Sequence, residues 1–262
     1  MIKSVILAGG LGTRLGTLTS AINKSLLPLD HLPIISHLIR FAQNINQDVL
    51  LTTTLGQVDN FARVVVNDPV IREKDVYYNI QVEPIGIADA IKYARRFCND
   101  GPVLVILGDN LLDDDGYNQI TNLCRELSAN INSFSNKILG VCTAFNAEDF
   151  GAHVWAVQSD NANCYGVIEL DDLGIPISIQ EKPKQPRSDL IITGIYLFDR
   201  RVWDILDNIQ PSDRGEYEIT DVLNEYLKIG ELKAHVLQGD WFDIGQSIES
   251  YWDIIYRRHD KQ

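Results

Sequence analysis

The chain has 262 residues and four cysteines, long enough to bury a substantial core without disulfides or a structural metal. Its formal net charge of −13 argues against a protein that coats nucleic acid, because affinity for a phosphate backbone comes from clustered Lys and Arg. No run approaches the ~20 apolar residues of a membrane span, and the short apolar start "VILAGG" lacks the layout of a signal peptide. The cysteines, Cys98, Cys124, Cys142 and Cys164, include no CxxC pair and have no His at ligand spacing. They read as buried or half-buried thiols of a protein kept in a reducing cytoplasm.

From residue 2 to about 110, short β-branched runs alternate with helical patterns: "IKSVILA", "PIISHLIRFAQ", "DVLLTTT", "NIQVE", "GIADAIKYARRF" and "VLVILGDN". That rhythm predicts βαβ units on a parallel sheet buried on both faces. In the fifth segment Ile87, Ala90, Ile91, Ala94 and Phe97 share one helical face, with Lys92, Arg95 and Arg96 turned away. From about 135 the texture becomes strand-rich, with "KILGVCTAF", "HVWAVQ", "YGVIEL", "ISIQ" and "LIITGIYLF" showing alternation or short apolar runs. Two helices follow, "RRVWDILDNI" and "EITDVLNEYLKIG", the second ending on Lys228 with a C-terminal glycine at Gly230. The expectation is a single α/β domain over 1–262, with residues 1–134 its alternating half and 135–262 the second, strand-rich and substrate-facing half.

The first strand runs into "GGLGTRL", which puts Gly9, Gly10 and Gly12 at its carboxyl end, where open α/β sheets bind ligands. Glycines let backbone N–H groups approach phosphate oxygens. A glycine turn after a first strand is also common in any α/β protein, and Leu15 stands where a dinucleotide fingerprint wants Gly or Ala. Arg14, two residues after the last glycine, and Lys24, ten further on, add a forked guanidinium and a point-charge ammonium. Together they suit a triphosphate better than a nicotinamide dinucleotide.

Acids follow at the end of other apolar strands. Asp109 closes "VLVILGDN" and Asp243 sits in "WFDIG"; each could be a turn residue, or an oxygen ligand for Mg²⁺, which takes one or two carboxylates. The acidic triplet Asp113, Asp114 and Asp115 reads instead as a solvated helix start. "ISIQEKP" ends a strand on Glu181 and Lys182 just before Pro183, a pair that elsewhere is surface decoration.

These motifs resemble those of the sugar-1-phosphate nucleotidylyltransferases, most closely the glucose-1-phosphate thymidylyltransferases. "LAGGLGTRL" and "NKSLLPL" resemble the family signature, and "EPIGIADA", "LGDN", "YGVIELDD", "EKP", "TGIYLFD", "RGEYEITDV" and "WFDIG" follow in the family's order across nearly the whole chain. Thr17 departs from the family's usual Pro.

The resemblance implies a Rossmann-like, mixed and mostly parallel sheet flanked by helices, the nucleotide-diphospho-sugar transferase fold, with a strand-rich sugar-binding second half. It implies Mg²⁺-dependent joining of a nucleoside monophosphate from an NTP, dTTP first and UTP second, to a hexose-1-phosphate, glucose-1-phosphate first. By the same resemblance Leu7, Gly9, Gly10, Gly12, Thr13, Gln81, Gly86 and Asp109 bind the nucleotide, with Gln81 reading the pyrimidine edge and Gly86 allowing its close approach. Gly166, Glu181, Lys182 and Thr193 hold the sugar, Arg14, Lys24 and Lys182 act on phosphates, and Asp109 with Asp243 holds Mg²⁺. A homodimer or homotetramer is the family's habit. The long thymidylyltransferases carry a further helical segment after the equivalent of "YWDIIYRRHDKQ", so weak or absent allosteric inhibition by a dTDP-deoxysugar at a second site is expected. The competing readings are a Rossmann dehydrogenase, for which Asp30 stands at a suitable distance, and a sugar-nucleotide-binding homologue without activity.

Overall fold

The computed structural model describes residues 1–10, 12–135 and 149–259, with only the backbone of 132–135 and 258–259. The stretch "KILGVCTAF" and Cys142 lie outside them. Four segments read as strands from their apolar runs form the parallel part of the main sheet: β1 (Lys3–Leu7), β4 (Val49–Thr54), β5 (Val76–Gln81) and β6 (Val103–Leu107). Two short strands, β2 (Pro28–Leu29) and β3 (Leu32–Pro33), make a hairpin between β1 and β4, and β7 (Asn110–Leu112) follows β6. β1 pairs in parallel with β4 on one side and β6 on the other, and β4 with β5.

The second half extends the same sheet with β8 (Ala152–Gln158), β9 (Gly166–Leu170), β10 (Pro176–Glu181), β11 (Leu190–Phe198) and β12 (Leu232–Val236), and adds the short β13 (Trp241–Asp243) outside it. β11 lies antiparallel to β6, β8 and β9 and so joins the two halves into one mixed sheet, of nine strands among the described residues.

Side-chain alternation sorts the apolar residues onto the two faces of this sheet. Ile6, Leu104, Ile106, Ile195 and Leu197 point to one face, where they meet α1 (Ile34–Ile45) through Ile35, Leu38 and Ile39. Val5, Val103, Val105, Tyr196 and Phe198 point to the other, which is covered by α3 (Ile87–Lys92), α6 (Val202–Asn208) and α7 (Ile219–Lys228). Each fully buried Leu, Ile or Val contributes about 1.5–3 kcal/mol.

The helix expected across "GIADAIKYARRF" is two pieces, α3 and the single turn α4 (Arg95–Cys98), parted at Tyr93–Ala94. Its apolar face is nevertheless the one expected, with Ala90, Ile91 and Ala94 buried. The helix 219–228 stops where expected: Gly230 has φ 71° and its N–H bonds to the Leu227 carbonyl. Three helices were not read as such from the sequence: α2 (Val58–Asn67), α5 (Asp114–Ser135) and α8 (Ile248–His259). For α5 only the acidic start was legible, and Asp113 is more than solvated. Its carboxylate accepts from Gly116 N and Asp240 N, each at 2.9 Å, and so ties the helix start to the residue that leads into β13.

Candidate active site

A cleft of about 390 Å³ opens over the carboxyl ends of β1 and β6. It has the size expected of a ligand site and the position expected in an open α/β sheet. One side of it is built from the chain after β1. Gly9, Gly10, Gly12 and Thr13 line the cleft, followed by Arg14, which is exposed and makes no ion pair among the described residues. Lys24 enters from a turn held in place by Asn23, whose side chain accepts from Ser25 N at 2.9 Å and donates to the Ala8 carbonyl at 2.8 Å.

Lys24 Nζ is ion-paired with Asp109. Asp109 follows β6, and the next residues pair antiparallel with β13, matching Asn110 to Asp243. This small two-stranded unit, sealed by Ile244 N donating to the Asp109 carbonyl at 3.0 Å, brings together two acids far apart in sequence. A Cβ on Gly245 would collide with Asp109 Oδ2 and lie 2.9 Å from Lys24 Nζ and 3.2 Å from Asp243 Oδ1. The final glycine of "WFDIG" is therefore required by the crowding of these three charged groups.

Two carboxylates and one ammonium leave an excess of negative charge in a half-buried place. Burial, and then the neighbouring Asp109 charge, push the Asp243 carboxyl up to about 6. The Tyr165 phenol opposes that rise by hydrogen bonding to Asp243, and its own ionisation is pushed up, first by burial. No cluster of three or more His, Cys, Asp or Glu suited to a metal occurs among the described residues. A pair of hard oxygen donors with open space beside it suits Mg²⁺, which keeps water and phosphate oxygens for its remaining positions.

The opposite wall comes from the second half. Lys182 has φ 41°, a left-handed conformation uncommon for a side chain other than glycine and typical of functional turns. Its N–H bonds to the Tyr165 carbonyl at 3.0 Å, which fixes the turn against the residue that leads into β9. Its ammonium lies 3.4 Å from Glu181, and Arg214 lies 3.5 Å from the same carboxylate and 2.7 Å from Glu218. Burial raises Glu181 above the ordinary carboxylate value, with the Lys182 charge acting against it.

Every residue singled out from the sequence lines this cleft, Leu7, Gln81, Gly86, Gly166 and Glu181 among them, except one. Thr193 is wholly buried and its hydroxyl donates to the Trp155 carbonyl at 2.8 Å. On a strand, alternate residues share a face, so Ile192, Gly194 and Tyr196 reach the cleft while Thr193 faces the core. The expectation that its hydroxyl serves a sugar is corrected. The structure gives Gly86, which lines the cleft, a packing role as well: a Cβ there would collide with the Tyr217 carbonyl and lie 2.6 Å from the Tyr217 N. Gly86 has φ 122°, so it is needed for packing against the 216–218 segment.

Sequence reading missed Tyr165, Tyr196 and Trp241, all in the cleft wall, and Arg214, which pairs with the wall residues Glu181 and Glu218. The segments "CYGVIEL" and "RGEYEI" carry no chemical signal until the fold lays them against Glu181 and Asp243. Cys164 is also exposed at the cleft, contrary to the expectation of buried or half-buried thiols, whereas burial pushes Cys98 and Cys124 up to about 12.

The chain is 32% identical over 260 residues to a glucose-1-phosphate thymidylyltransferase of an Actinoplanes species, covering 98% of this chain and 78% of that protein. It is 30% identical over 247 residues to the enzyme of the same name from Neisseria meningitidis, covering 93% and 78%. A solved structure described as a glucose-1-phosphate thymidylyltransferase from Bacillus anthracis, in complex with sucrose, superimposes with a TM-score of 0.81 at 30% identity, covering 99% of this chain and 96% of that one. The family model for nucleotidyl transferases matches residues 3–151 and 136–261. A glycine loop flanked by Arg14 and Lys24, with a pair of acids beside it, suits such a transfer, and the chain belongs to the nucleotidyl transferase family.

Proposed function

We propose that the cleft catalyses Mg²⁺-dependent transfer of a nucleoside monophosphate from an NTP to a hexose-1-phosphate, releasing pyrophosphate. The preferred pair is dTTP with glucose-1-phosphate, and UTP is the second nucleotide. The observation that carries this reading is the convergence of Lys24, Asp109 and Asp243 around Gly245, directly beside the glycine loop and the unpaired Arg14. The names of the relatives at about one-third identity favour thymidylyl transfer to glucose-1-phosphate.

The chemistry needs no protein nucleophile. A phosphate oxygen of the sugar-1-phosphate attacks the α-phosphorus in line, so catalysis is positioning plus charge stabilisation. Arg14 faces the α-phosphate and the departing pyrophosphate, and Lys24 holds the NTP phosphates. Lys182, on its fixed turn, orients the attacking phosphate, while Glu181 accepts from sugar hydroxyls. Gln81, at the end of β5, faces the base. Asp109 and Asp243 hold the ion, which when bound neutralises phosphate charge.

The test is pyrophosphate release from Mg²⁺, glucose-1-phosphate and each of dTTP, UTP, CTP, GTP and ATP in turn, with and without EDTA. The expected result is release that needs both substrates, is lost in EDTA and is fastest with dTTP. Silence across these nucleotides and across other sugar-1-phosphates would leave a binding protein and overturn the reading.

A further inference from the structure

We infer that Asp89 is a positioning residue for base choice: it holds the Gln81 amide with its carbonyl toward the cleft, which selects bases carrying a ring N–H on their pairing edge. This rests on the reading that Gln81 faces the base. Gln81 is only 4% exposed, yet it lines the cleft. Its Nε2 donates to Asp89 Oδ2 at 3.0 Å and, more weakly, to the Gly86 carbonyl at 3.4 Å. Carboxylate and carbonyl oxygens only accept, so an overturned amide would set Oε1 against both.

The orientation of the amide is thereby fixed by chemistry. Its Oε1 lies on the Gly9 side, 3.3 Å from where a Cβ on that glycine would stand, and no donor bonds to it among the described residues. An acceptor without a donor, on a side chain otherwise buried and opening on a ligand cleft, calls for a donor from the ligand. Asp89 is half-buried, in the first turn of α3, where the helix dipole favours a negative charge. It is not part of the cleft wall, so it acts on the nucleotide only through Gln81.

Uracil, thymine and guanine present a ring N–H at the pairing edge, whereas cytosine and adenine present a lone pair. At constant ring size, UTP and CTP therefore separate the two cases. A lone pair facing buried Oε1 weakens binding by roughly ten- to a hundredfold.

The experiment is calorimetric titration of the whole protein with UTP and with CTP, in Mg²⁺ buffer, for the wild type and for Asp89→Asn and Asp89→Glu. The wild type should bind UTP at least about tenfold tighter than CTP. In Asp89→Asn the two amides can turn over together, so the ratio should fall toward unity, chiefly by a gain for CTP. Asp89→Glu keeps an acceptor-only partner and should keep the preference. A residue with a merely structural role would weaken both nucleotides alike. Equal wild-type affinities, or an unchanged ratio in Asp89→Asn, would overturn the inference. Binding needs no turnover: selection of UTP without sugar-nucleotide synthesis would sink the proposed reaction and spare Asp89, and turnover without base preference would do the reverse.

Discussion

Two groups of acid sit at opposite ends of the central strands of the same sheet, and their surroundings differ. Asp199 follows β11 at the end away from the cleft and is wholly buried. It accepts from Gly151 N, from Arg201 N and side chain, and from the Tyr226 hydroxyl at distances of 2.5–3.0 Å. Asp109 and Asp243, at the cleft, share one ammonium and a few weaker donors. The fold satisfies a carboxylate fully where it serves structure, and leaves a shortage of positive charge where a ligand or ion is to supply it.

The most severe way to break this contrast is Asp199→Ala. It strands the Tyr226 hydroxyl, Gly151 N and half of the Arg201 pairing, and should destabilise the protein by about 3–5 kcal/mol in urea denaturation, with little change in kcat for the molecules that remain folded. Arg14→Ala tests the cleft side. Its guanidinium has no structural partner among the described residues, so the melting temperature should hold while kcat falls by at least ~100-fold, the order seen when one preorganised charge-stabilising donor is lost. A near-normal kcat would remove Arg14 from its assigned role.

Asp243→Asn should change stability less than Asp199→Ala and gives the sharpest test of the contrast, because stability and activity should move in opposite directions. The folded carboxyl is raised to about 6 from an ordinary 3.8, so between those values the folded state holds a proton that the unfolded chain has released. Stability from this group is present at low pH and is lost as pH rises through about 6. The amide variant should therefore be more stable than the wild type at pH 7.5, by about 1–3 kcal/mol, with the difference shrinking as pH falls toward 4, while activity is lost. Urea titrations at several pH values check the sign; a variant destabilised at pH 7.5 would mean that Asp243 is satisfied without a ligand.

Much of the fold was legible in the chain because local chemistry forces it. The β-branched runs of β1, β4 and β6 and the face shared by Ala90, Ile91 and Ala94 follow from side-chain period alone. Helices α2 and α8 were passed over, and of α5 only the acidic start was read, although all three form. Within the site, the glycine loop, Arg14, Lys24, Asp109, Glu181 and Lys182 stood out as residue types suited to phosphate, metal and sugar at the ends of strands. Thr193 misled, because its neighbour in sequence, Gly194, faces the cleft and the strand turns the hydroxyl itself into the core.

By itself, then, the sequence determined the α/β layering, the phosphate loop and the kinds of charge available to the cleft, since each is set by residues within one or two elements. Only the tertiary structure decided that Asp109, Asp243 and Lys24 crowd round Gly245, that Gly86 answers to Tyr217, and that the Gln81 amide bonds to Asp89. Those relations depend on distances between segments as much as 134 residues apart, or on which way a planar amide is turned, and neither is written in any local pattern of the chain.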